Sequence, residues 1–422
     1  MIKNALKILE TANLFITGGA GSGKTTLTRA IIEDAVQQGK SVARLASTGM
    51  AATLIGGQTL HSFLDLGICN SQEELEVGGK LELSKKNAKL IKSMAMIIID
   101  EISMVSAPLL DMIRLRLLQA EFNGRLIVVG DFLQLPPVVR GGENIYFAFE
   151  SPSWERFEFQ TLHLEGSYRT EETEFLSLLE SVRHASLDES AKLALDTLVR
   201  VLPEDKSEIT VLYGKNISAQ NHNRLQLEHL NGEIIDLATH VTIHDKKMQE
   251  RDIERFLSES RLERIMAFKI GAPILFTRNA WNYYNGERGR ILSIEEDTVW
   301  VKKADGKSVK VERVETTKTK WVEKGKVTIE EKLITLSQFP LTLAFAITIH
   351  KSQGMSLADY VIETNEIFAP SQFYVALSRS VSAHRVTLTK PNRSWEKLCF
   401  VHPKARGFVK IKANLPTALF SK

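Results

Sequence analysis

The sequence predicts an α/β protein built on doubly wound parallel sheets, and two observations carry that prediction. Short apolar runs alternate with stretches of helical spacing over residues 1–150. A second block of the same kind starts near Ser151, and a set of short period-two runs interrupts it. With 422 residues, the chain has room for two to four domains.

The first block opens with a strand, a glycine-rich loop and a helix. Asn13–Thr17 is apolar enough for a buried strand, and the apolar spacing after Gly23 predicts a helix. Between them, Gly18–Thr26 has the sequence GGAGSGKTT, which matches G-x-x-x-x-G-K-[ST]. In such a loop, backbone N–H groups and the Lys24 ammonium bind phosphate oxygens, and the Thr25 hydroxyl can bind Mg²⁺. A nucleoside triphosphate site is therefore predicted at this helix N-terminus.

The next apolar strand ends in two acids. Met94–Asp100 contains an unbroken apolar run, as a central parallel strand should. Asp100 is placed to hold Mg²⁺, and Glu101 to take a proton from the attacking water. The alternative, a pair of solvated loop carboxylates, is disfavoured by the apolar run before them.

A third strand, Arg125–Gly130, follows a predicted helix at Ala107–Ala120. It leads into GDFLQLPPV, which begins at Gly130. Gln134 is a neutral side chain just beyond this strand, where it could contact a γ-phosphate or orient water. A proline-punctuated loop is the plain alternative.

The remaining pattern predicts two insertions in this framework. Leu64–Ser93 is polar and too long for an ordinary connection, so we expect a small inserted element. Short alternating runs between Gly289 and Ile329 predict an antiparallel β module. The elements assigned to the second α/β block are helices at Thr173–His184, Ser190–Val201 and from Ser218, and strands at Glu208–Tyr213, Ala272–Thr277, Leu341–Ile347 and Tyr360–Glu363.

Composition excludes some classes but does not select a partner. The 54 basic and 51 acidic residues nearly balance, so net charge gives no argument for nucleic acid. Val401–Lys422 is nevertheless basic and free of acids. No apolar run approaches the about 20 residues of a membrane helix, and no signal peptide is evident at the N-terminus. Cys69 and Cys399 are the two cysteines, which favours a reducing, cytoplasmic location.

The ordered motifs resemble those of a known family. GGAGSGKTT, DEISM and GDFLQLPP are followed by GSYRT at Gly166, TIHKSQG at Thr348 and VALSRS at Val375. In this order they are similar to superfamily 1B DNA helicases of the Pif (petite integration frequency) and RecD-like branch. The resemblance implies two RecA-like P-loop domains: domain 1A at 1–150 with a wedge insertion at 64–93, domain 2A at 151–289 and 339–395, an SH3-like domain 2B at 290–338, and a basic tail at 396–422.

The chemistry of hydrolysis and the resemblance agree on the nucleotide site. Negative charge develops on the γ-phosphate oxygens, so arginine fingers are expected, and Arg169 and Arg379 are the candidates. The expected catalytic residues are Lys24, Glu101, Gln134, Arg169 and Arg379. The remaining nucleotide contacts are expected from Gly19, Ala20, Gly21, Ser22, Gly23, Thr25, Thr26, Asp100 and Gly354, with Thr25 and Asp100 as metal ligands.

The resemblance also implies DNA contacts at Thr48, Thr59, His61, Ser62, Phe63, His350, Lys351 and Gln353. Hydroxyl groups position phosphates without reading sequence. Phe63 could stack on a base or pack in the core, and both options stay open.

The implied activity is that of a monomeric bacterial or phage 5′→3′ helicase that uses ATP and Mg²⁺ on single-stranded and forked DNA. Three alternatives stay open: an ATP-gated nucleic-acid-binding protein or translocase without unwinding, a RecD-like subunit of a larger complex, and an RNA substrate. One feature departs from the superfamily, since no glutamine precedes the P-loop. Loose nucleotide selectivity is therefore expected.

Overall fold

The computed structural model describes residues 1–47, 52, 55–67, 69–139, 144–170, 172–201, 209–260, 262–324 and 327–414. It contains two parallel sheets and an antiparallel β module whose strands lie, in sequence, between the first and second strands of the second parallel sheet. Within those residues, none of the helices has the length and apolarity needed to cross a membrane.

The first domain holds a six-stranded parallel sheet with the strand order β3-β2-β4-β5-β1-β6. Its strands are β1 (Leu14–Gly18), β2 (Val42–Ala46), β3 (Gln58–Thr59), β4 (Met96–Asp100), β5 (Arg125–Val129) and β6 (Gln160–Leu164). Its helices are α1 (Ile2–Thr11), α2 (Lys24–Gln37), α3 (Leu60–Phe63), α4 (Gln72–Val77), α5 (Lys85–Ser93), α6 (Ala107–Gln119) and α7 (Pro152–Arg156).

The central position of strand β4 in the sheet explains why its sequence is apolar. Ile97 and Ile99 face the core on one side of the sheet, and Met96 and Ile98 face the core on the other. Both faces are covered, so every position is buried up to the acids. The predicted strands and helices of this domain are confirmed within one or two residues, but its predicted end at residue 150 is wrong, because α7 and β6 belong to the same core and sheet. The sequence also favours a short helix from Met50, and that segment lies mostly outside the described residues.

The predicted insertion at 64–93 forms α4 and α5 beside the first domain. Leu75, Leu90 and Ile91 belong to the same core as the sheet. The buried guanidinium of Arg116, on α6, donates to the backbone carbonyl oxygens of Leu64 and Leu81 at 3.1 and 2.9 Å. The insertion is therefore fixed to the helix that follows the two acids.

The second domain holds a four-stranded parallel sheet with the order β18-β7-β19-β20. Helices of the remaining chain are α8 (Thr173–Arg183), α9 (Glu189–Leu198), α10 (Asn216–His229), α11 (Glu250–Ser260), α12 (Gln372–Leu377), α13 (Trp395–Leu398) and α14 (Pro403–Asn414). Strands are β7 (Thr210–Tyr213), β8 (Ile235–Ala238), β9 (His240–Ile243), β10 (Ile265–Phe268), β11 (Pro273–Phe276), β12 (Arg288–Glu295), β13 (Thr298–Lys303), β14 (Ser308–Glu312), β15 (Val314–Lys324), β16 (Val327–Gln338), β17 (Leu341–Leu343), β18 (Ala346–Thr348), β19 (Tyr360–Ile362) and β20 (Val386–Leu388).

The antiparallel module is larger than the predicted span of 290–338. Its main sheet has the order β14-β13-β12-β11-β17, so β11 and β17 belong to it and not to the second parallel sheet. The short runs predicted near Lys320 and Val327 are parts of one long hairpin, β15–β16, which also pairs with β9. All four residues of β11 are buried. A strand buried on both faces has the same apolar pattern in either kind of sheet, and the boundary was misplaced for that reason.

The prediction of a basic tail at 396–422 is wrong for the part that the structure describes. Helix α14 returns to the first domain, where the Phe408 ring stacks on Phe149 with centroids 4.2 Å apart. Ala405 is buried, and Val401 and Val409 pack against the same core. These positions are spaced i, i+4, i+7 and i+8, which marks an amphipathic helix. The excess of basic residues in this segment suggested a tail, although the apolar spacing was already present in the sequence.

Candidate nucleotide and nucleic-acid sites

A cavity of about 790 Å³ lies between the two domains and contains most of the predicted catalytic side chains. The P-loop lines one side, and residues from the second domain line the other. The predicted residues that reach it are Ala20, Gly21, Ser22, Gly23, Lys24, Thr25, Thr26, Glu101, Gln134, Arg169, Gly354 and Arg379. Gly19 and Asp100 lie just behind this lining, in the P-loop and at the end of β4.

The P-loop has the backbone form that its glycines permit. Gly21 and Gly23 have φ values of 77° and 89°, where L side chains are strained. A Cβ at Gly21 would lie 2.6 Å from the Ser167 hydroxyl, and one at Gly23 would lie 3.1 Å from the Tyr168 ring. The loop lines the cavity and leads directly into α2, whose N-cap is Gly23.

These residues fit a bound triphosphate. Ser22 is buried, and its hydroxyl has no hydrogen-bond partner among the described residues. The Lys24 ammonium donates to the carbonyl oxygens of Gly18 and Gly19, both at 2.8 Å. Burial lowers the pKa of Lys24, which nearby carboxylates oppose. A partly buried cation and an unpaired hydroxyl at a helix N-terminus are suited to phosphate oxygens.

The site also suits a Mg²⁺ ion held partly by phosphate. The described residues contain no group of three or more His, Cys, Asp or Glu that could hold a metal ion. Thr25, in the first turn of α2, and Asp100, at the end of β4, are the ligands that the sequence predicts. Mg²⁺ commonly takes one or two protein oxygens and fills its shell with water and phosphate.

Glu101 has the properties of a general base. Its backbone lies in the left-handed region with φ 53°, which is uncommon for a residue with a Cβ. Burial, with a smaller contribution from Asp100, raises the pKa of Glu101 to about 7, and Lys24 and Arg379 oppose the rise. A base is most effective when its pKa lies near the working pH. Burial also raises the pKa of Asp100, whose Oδ1 accepts from the Glu101 N–H at 2.9 Å.

The two arginines of the second domain point into the same cavity. Arg379 is buried and donates to the carbonyl oxygen of Val375 at 2.8 Å and to the Ser378 hydroxyl at 2.8 Å. Burial, reinforced by Arg169, lowers the pKa of Arg379 to about 9. Arg169 donates to the Ser378 carbonyl oxygen at 2.6 Å. A guanidinium whose charge is disfavoured by burial and by a second guanidinium favours the arrival of an anion beside it.

Gln353 lies on the nucleotide side, which corrects its predicted DNA contact. Its side-chain amide donates to Glu101 Oε2 at 2.9 Å and lines the nucleotide cavity. Residues 350–353 follow strand β18 in a tight turn, so adjacent side chains leave it in different directions. Lys351 lines a second cavity, of about 390 Å³, together with Arg224 and Arg278. His350 is partly buried beside it in sequence.

The predicted DNA contacts of the first domain separate into two groups. Thr59 caps α3 by accepting from the Ser62 N–H at 3.3 Å, and His61 is partly buried on the same turn. Thr59 and Ser62 line a small cleft whose other wall is residues 316–319 of the β15–β16 hairpin. Phe63 is buried in the first-domain core, so its prediction as a stacking residue is wrong and the packing alternative holds. Thr48 lies outside the described residues.

Four residues of the nucleotide region were not singled out from the sequence. The Tyr168 ring lies over Gly23 and is 74% exposed, a large aromatic beside the predicted finger. The Tyr374 hydroxyl accepts from the Ala20 N–H at 2.8 Å. Asp131 forms a buried ion pair with Arg183. The signal for Asp131 was its place in GDFLQ, whereas Arg183 lies on an ordinary amphipathic helix and Tyr374 on a short helix whose residues are all buried.

One domain carries a P-loop, two acids and a glutamine, and two arginines of the other domain face them. This arrangement defines a two-domain ATPase of the superfamily 1 helicase class. The comparisons identify the family. Residues 1–191 match the family model described as PIF1-like helicase. The chain is 36% identical over 400 residues to ATP-dependent DNA helicase Pif1 of Campylobacter jejuni, covering 90% of each chain. The chain therefore belongs to the PIF1-like helicase family.

Solved structures agree with this assignment, and their similarity to this chain depends on what each of them binds. The Bacteroides sp. Pif1 complex with ADP-AlF4 is 25% identical, with a TM-score of 0.82 over 99% of this chain and 97% of that one. Bacteroides Pif1 bound to single-stranded DNA is 27% identical, with a TM-score of 0.66 over 98% and 96%. The predicted fold class, with two parallel-sheet domains and β insertions, is confirmed. The overall arrangement of this chain is closer to the former relative than to the DNA complex.

Proposed function

We propose that this protein is an ATP-dependent DNA helicase that moves 5′→3′ on single-stranded DNA and uses Mg²⁺. One observation carries the proposal. Arg169 and Arg379 of the second domain face Lys24 and Glu101 of the first domain across a single cavity. Nucleotide bound there contacts both domains, so its hydrolysis changes the forces that hold the domains together.

The residues of the cavity divide the work of hydrolysis. Lys24 and the P-loop amides hold the phosphates, and Gln134 contacts the γ-phosphate or the attacking water. Glu101 accepts the proton from that water, while the Gln353 amide holds the carboxylate in place. Arg169 and Arg379 offset the negative charge that develops on the γ-phosphate oxygens. Thr25 and Asp100 would hold Mg²⁺, which would supply further stabilisation of the developing negative charge.

The nucleic-acid path runs on the side of the domains that carries the hydroxyl-lined cleft and the second cavity. Thr59 and Ser62 face the β15–β16 hairpin, and Lys351, Arg224 and Arg278 add positive charge in the cavity beside α10. Hydroxyl and cationic groups hold the phosphate backbone and do not read bases. The lower TM-score to the relative bound to single-stranded DNA supports a movement of the parts when DNA enters.

Two tailed duplexes test the proposal. One substrate carries only a 5′ single-stranded tail and the other only a 3′ tail, each with ATP and Mg²⁺. We expect strand separation of the 5′-tailed duplex alone. Opening of the 3′-tailed duplex alone would overturn the proposed direction. If neither opens while single-stranded DNA still stimulates ATP hydrolysis, a translocase or ATP-gated binding protein is the better description.

We also propose a monomer that acts on forked DNA in the cytoplasm, associated with the nucleoid. Cys69 and Cys399 are buried free thiols, which suits a reducing compartment. Sedimentation with and without forked DNA tests the monomer. Because no glutamine precedes the P-loop, we expect GTP to support turnover within about tenfold of ATP, an estimate from the loss of one bidentate base contact.

A further inference from the structure

A buried ion pair joins the two domains behind the nucleotide cavity. Arg183, the last residue of α8, donates to Asp131 through two nitrogens, Nε to Oδ2 at 3.0 Å and Nη2 to Oδ1 at 3.1 Å. Both side chains are at least 95% buried. The contact is thus a two-pronged, water-excluded fork, the strongest geometry that an arginine and a carboxylate form.

Asp131 belongs to the same loop as the γ-phosphate candidate Gln134. Its Oδ1 accepts from the Leu133 N–H at 3.1 Å, and its Oδ2 lies 3.5 Å from the Gln134 amide nitrogen. Burial opposes ionisation of Asp131, yet Arg183 outweighs it and holds the pKa of Asp131 below its ordinary value. The Asp131 carboxylate therefore stays charged. Because Gln134 lies next to it, a shift of Gln134 toward a phosphate also affects the carboxylate that binds Arg183.

A second contact ties the same region of the second domain to the P-loop. The buried Tyr374 hydroxyl, on α12, accepts from the Ala20 N–H at 2.8 Å. A Cβ at Gly19 would lie 3.2 Å from the Glu180 carboxylate and 3.8 Å from the Arg183 guanidinium carbon. Helices α8 and α12 thus reach the back of both phosphate-facing loops, away from the cavity itself.

We propose that Arg183 is a positioning residue that transmits the nucleotide state at Gln134 to the second domain. The inference rests on the proposed helicase function and adds a route by which hydrolysis moves the DNA-holding domain. Arg183 does not line the nucleotide cavity, so its role is distinct from the fingers Arg169 and Arg379. A fork with two parallel hydrogen bonds fixes orientation as well as distance, so a rotation of one loop is passed on as a rotation of α8.

The test replaces both charges together. Removing one partner would leave a buried, unpaired charge and endanger folding. The double variant Asp131→Asn/Arg183→Gln shortens the side chain at position 183, keeps one amide hydrogen bond and removes the charged fork. Steady-state ATP hydrolysis is measured with and without oligo(dT), and unwinding is measured on the 5′-tailed duplex in the same buffer.

We expect the KM for ATP to stay within about twofold of wild type, because neither Asp131 nor Arg183 lines the nucleotide cavity. Stimulation by oligo(dT) and base pairs opened per ATP should each fall at least about tenfold. Base pairs opened per ATP within twofold of wild type would overturn the proposal. A large rise in KM with equal loss of basal and stimulated hydrolysis would also overturn it, since Arg183 would then act through nucleotide binding.

Two controls keep the result decisive. Lys192→Gln breaks an exposed ion pair with Glu189 and Glu396 on the same domain and should change none of these values. If the double variant fails to fold, Arg183→Lys is assayed in its place, because lysine keeps the charge but offers no fork. The same two outcomes then decide. Absence of unwinding by wild type in this assay would count against the proposed function itself.

Discussion

The raised pKa of Glu101 makes opposite predictions for hydrolysis and for stability. The perturbation is Glu101→Gln, which keeps the shape and removes the titration. A base with a pKa of about 7 is about one-tenth ionised at pH 6 and about nine-tenths ionised at pH 8. The wild-type kcat/KM for ATP should therefore rise about tenfold across this interval, whereas an ordinary glutamate would give a flat profile.

The stability prediction follows from the same shift with the opposite sign. The pKa of Glu101 is higher in the folded protein than in the unfolded chain, so the folded state binds the extra proton between about pH 4.5 and 7. Stability from this group is present at low pH and is lost as the pH rises through 7. At pH 8, Glu101→Gln should therefore stabilise the nucleotide-free protein by up to about 3 kcal/mol, and by nothing near pH 4.5.

The assay pairs ATP hydrolysis with thermal unfolding at pH 6 and pH 8, without nucleotide in the unfolding scans. Glu33→Gln, on the exposed face of α2, is the matched control and should change neither. Glu101→Gln should bind ATP, hydrolyse it at least about 100-fold more slowly and melt at a higher temperature at pH 8. Normal turnover by this variant would refute the base assignment. A flat wild-type profile with no gain in stability would refute the shifted pKa.

Further predictions test other parts of the structure. Lys24→Ala should reduce turnover at least about 100-fold, because a charged donor to the phosphates is lost; retained turnover would contradict the phosphate role. Phe408→Ala should lower the free energy of unfolding by about 2 kcal/mol, less than for a fully buried phenylalanine, while exposed Lys410→Ala should not; equal effects in denaturant titrations would contradict the docked helix. Affinity for single-stranded DNA should fall steeply with salt in anisotropy titrations and vary little with sequence; a strong sequence preference would count against backbone recognition.

The nucleotide region was predicted from sequence because its chemistry constrains local patterns. The P-loop glycines are needed at backbone conformations that other residues resist, and Asp100 ends a strand buried on both faces. Such requirements leave short, contiguous marks in the chain. Arg169 and Arg379 could also be named, since each lies in a short motif and the charge of the reaction calls for them.

The features that were misplaced or missed share a different cause. Phe63, Gln353 and Arg183 have partners that are distant in the chain, and single-sequence patterns carry no information about such contacts. β11 was assigned to the wrong sheet because burial on two faces removes the alternation that distinguishes antiparallel strands. Helix α14 was hidden by a charge count, although the spacing of its apolar residues was present in the sequence.

Unwinding by an Arg379 variant tests most directly whether the cavity between the domains is the motor. The measurement is strand separation of the 5′-tailed duplex by wild type and Arg379→Lys, with ATP binding followed in parallel by a fluorescent analogue. Lysine keeps a charge but lacks the planar fork. We expect nucleotide affinity within about threefold of wild type, and hydrolysis and unwinding both reduced at least about 100-fold. Wild-type unwinding by Arg379→Lys would contradict the account.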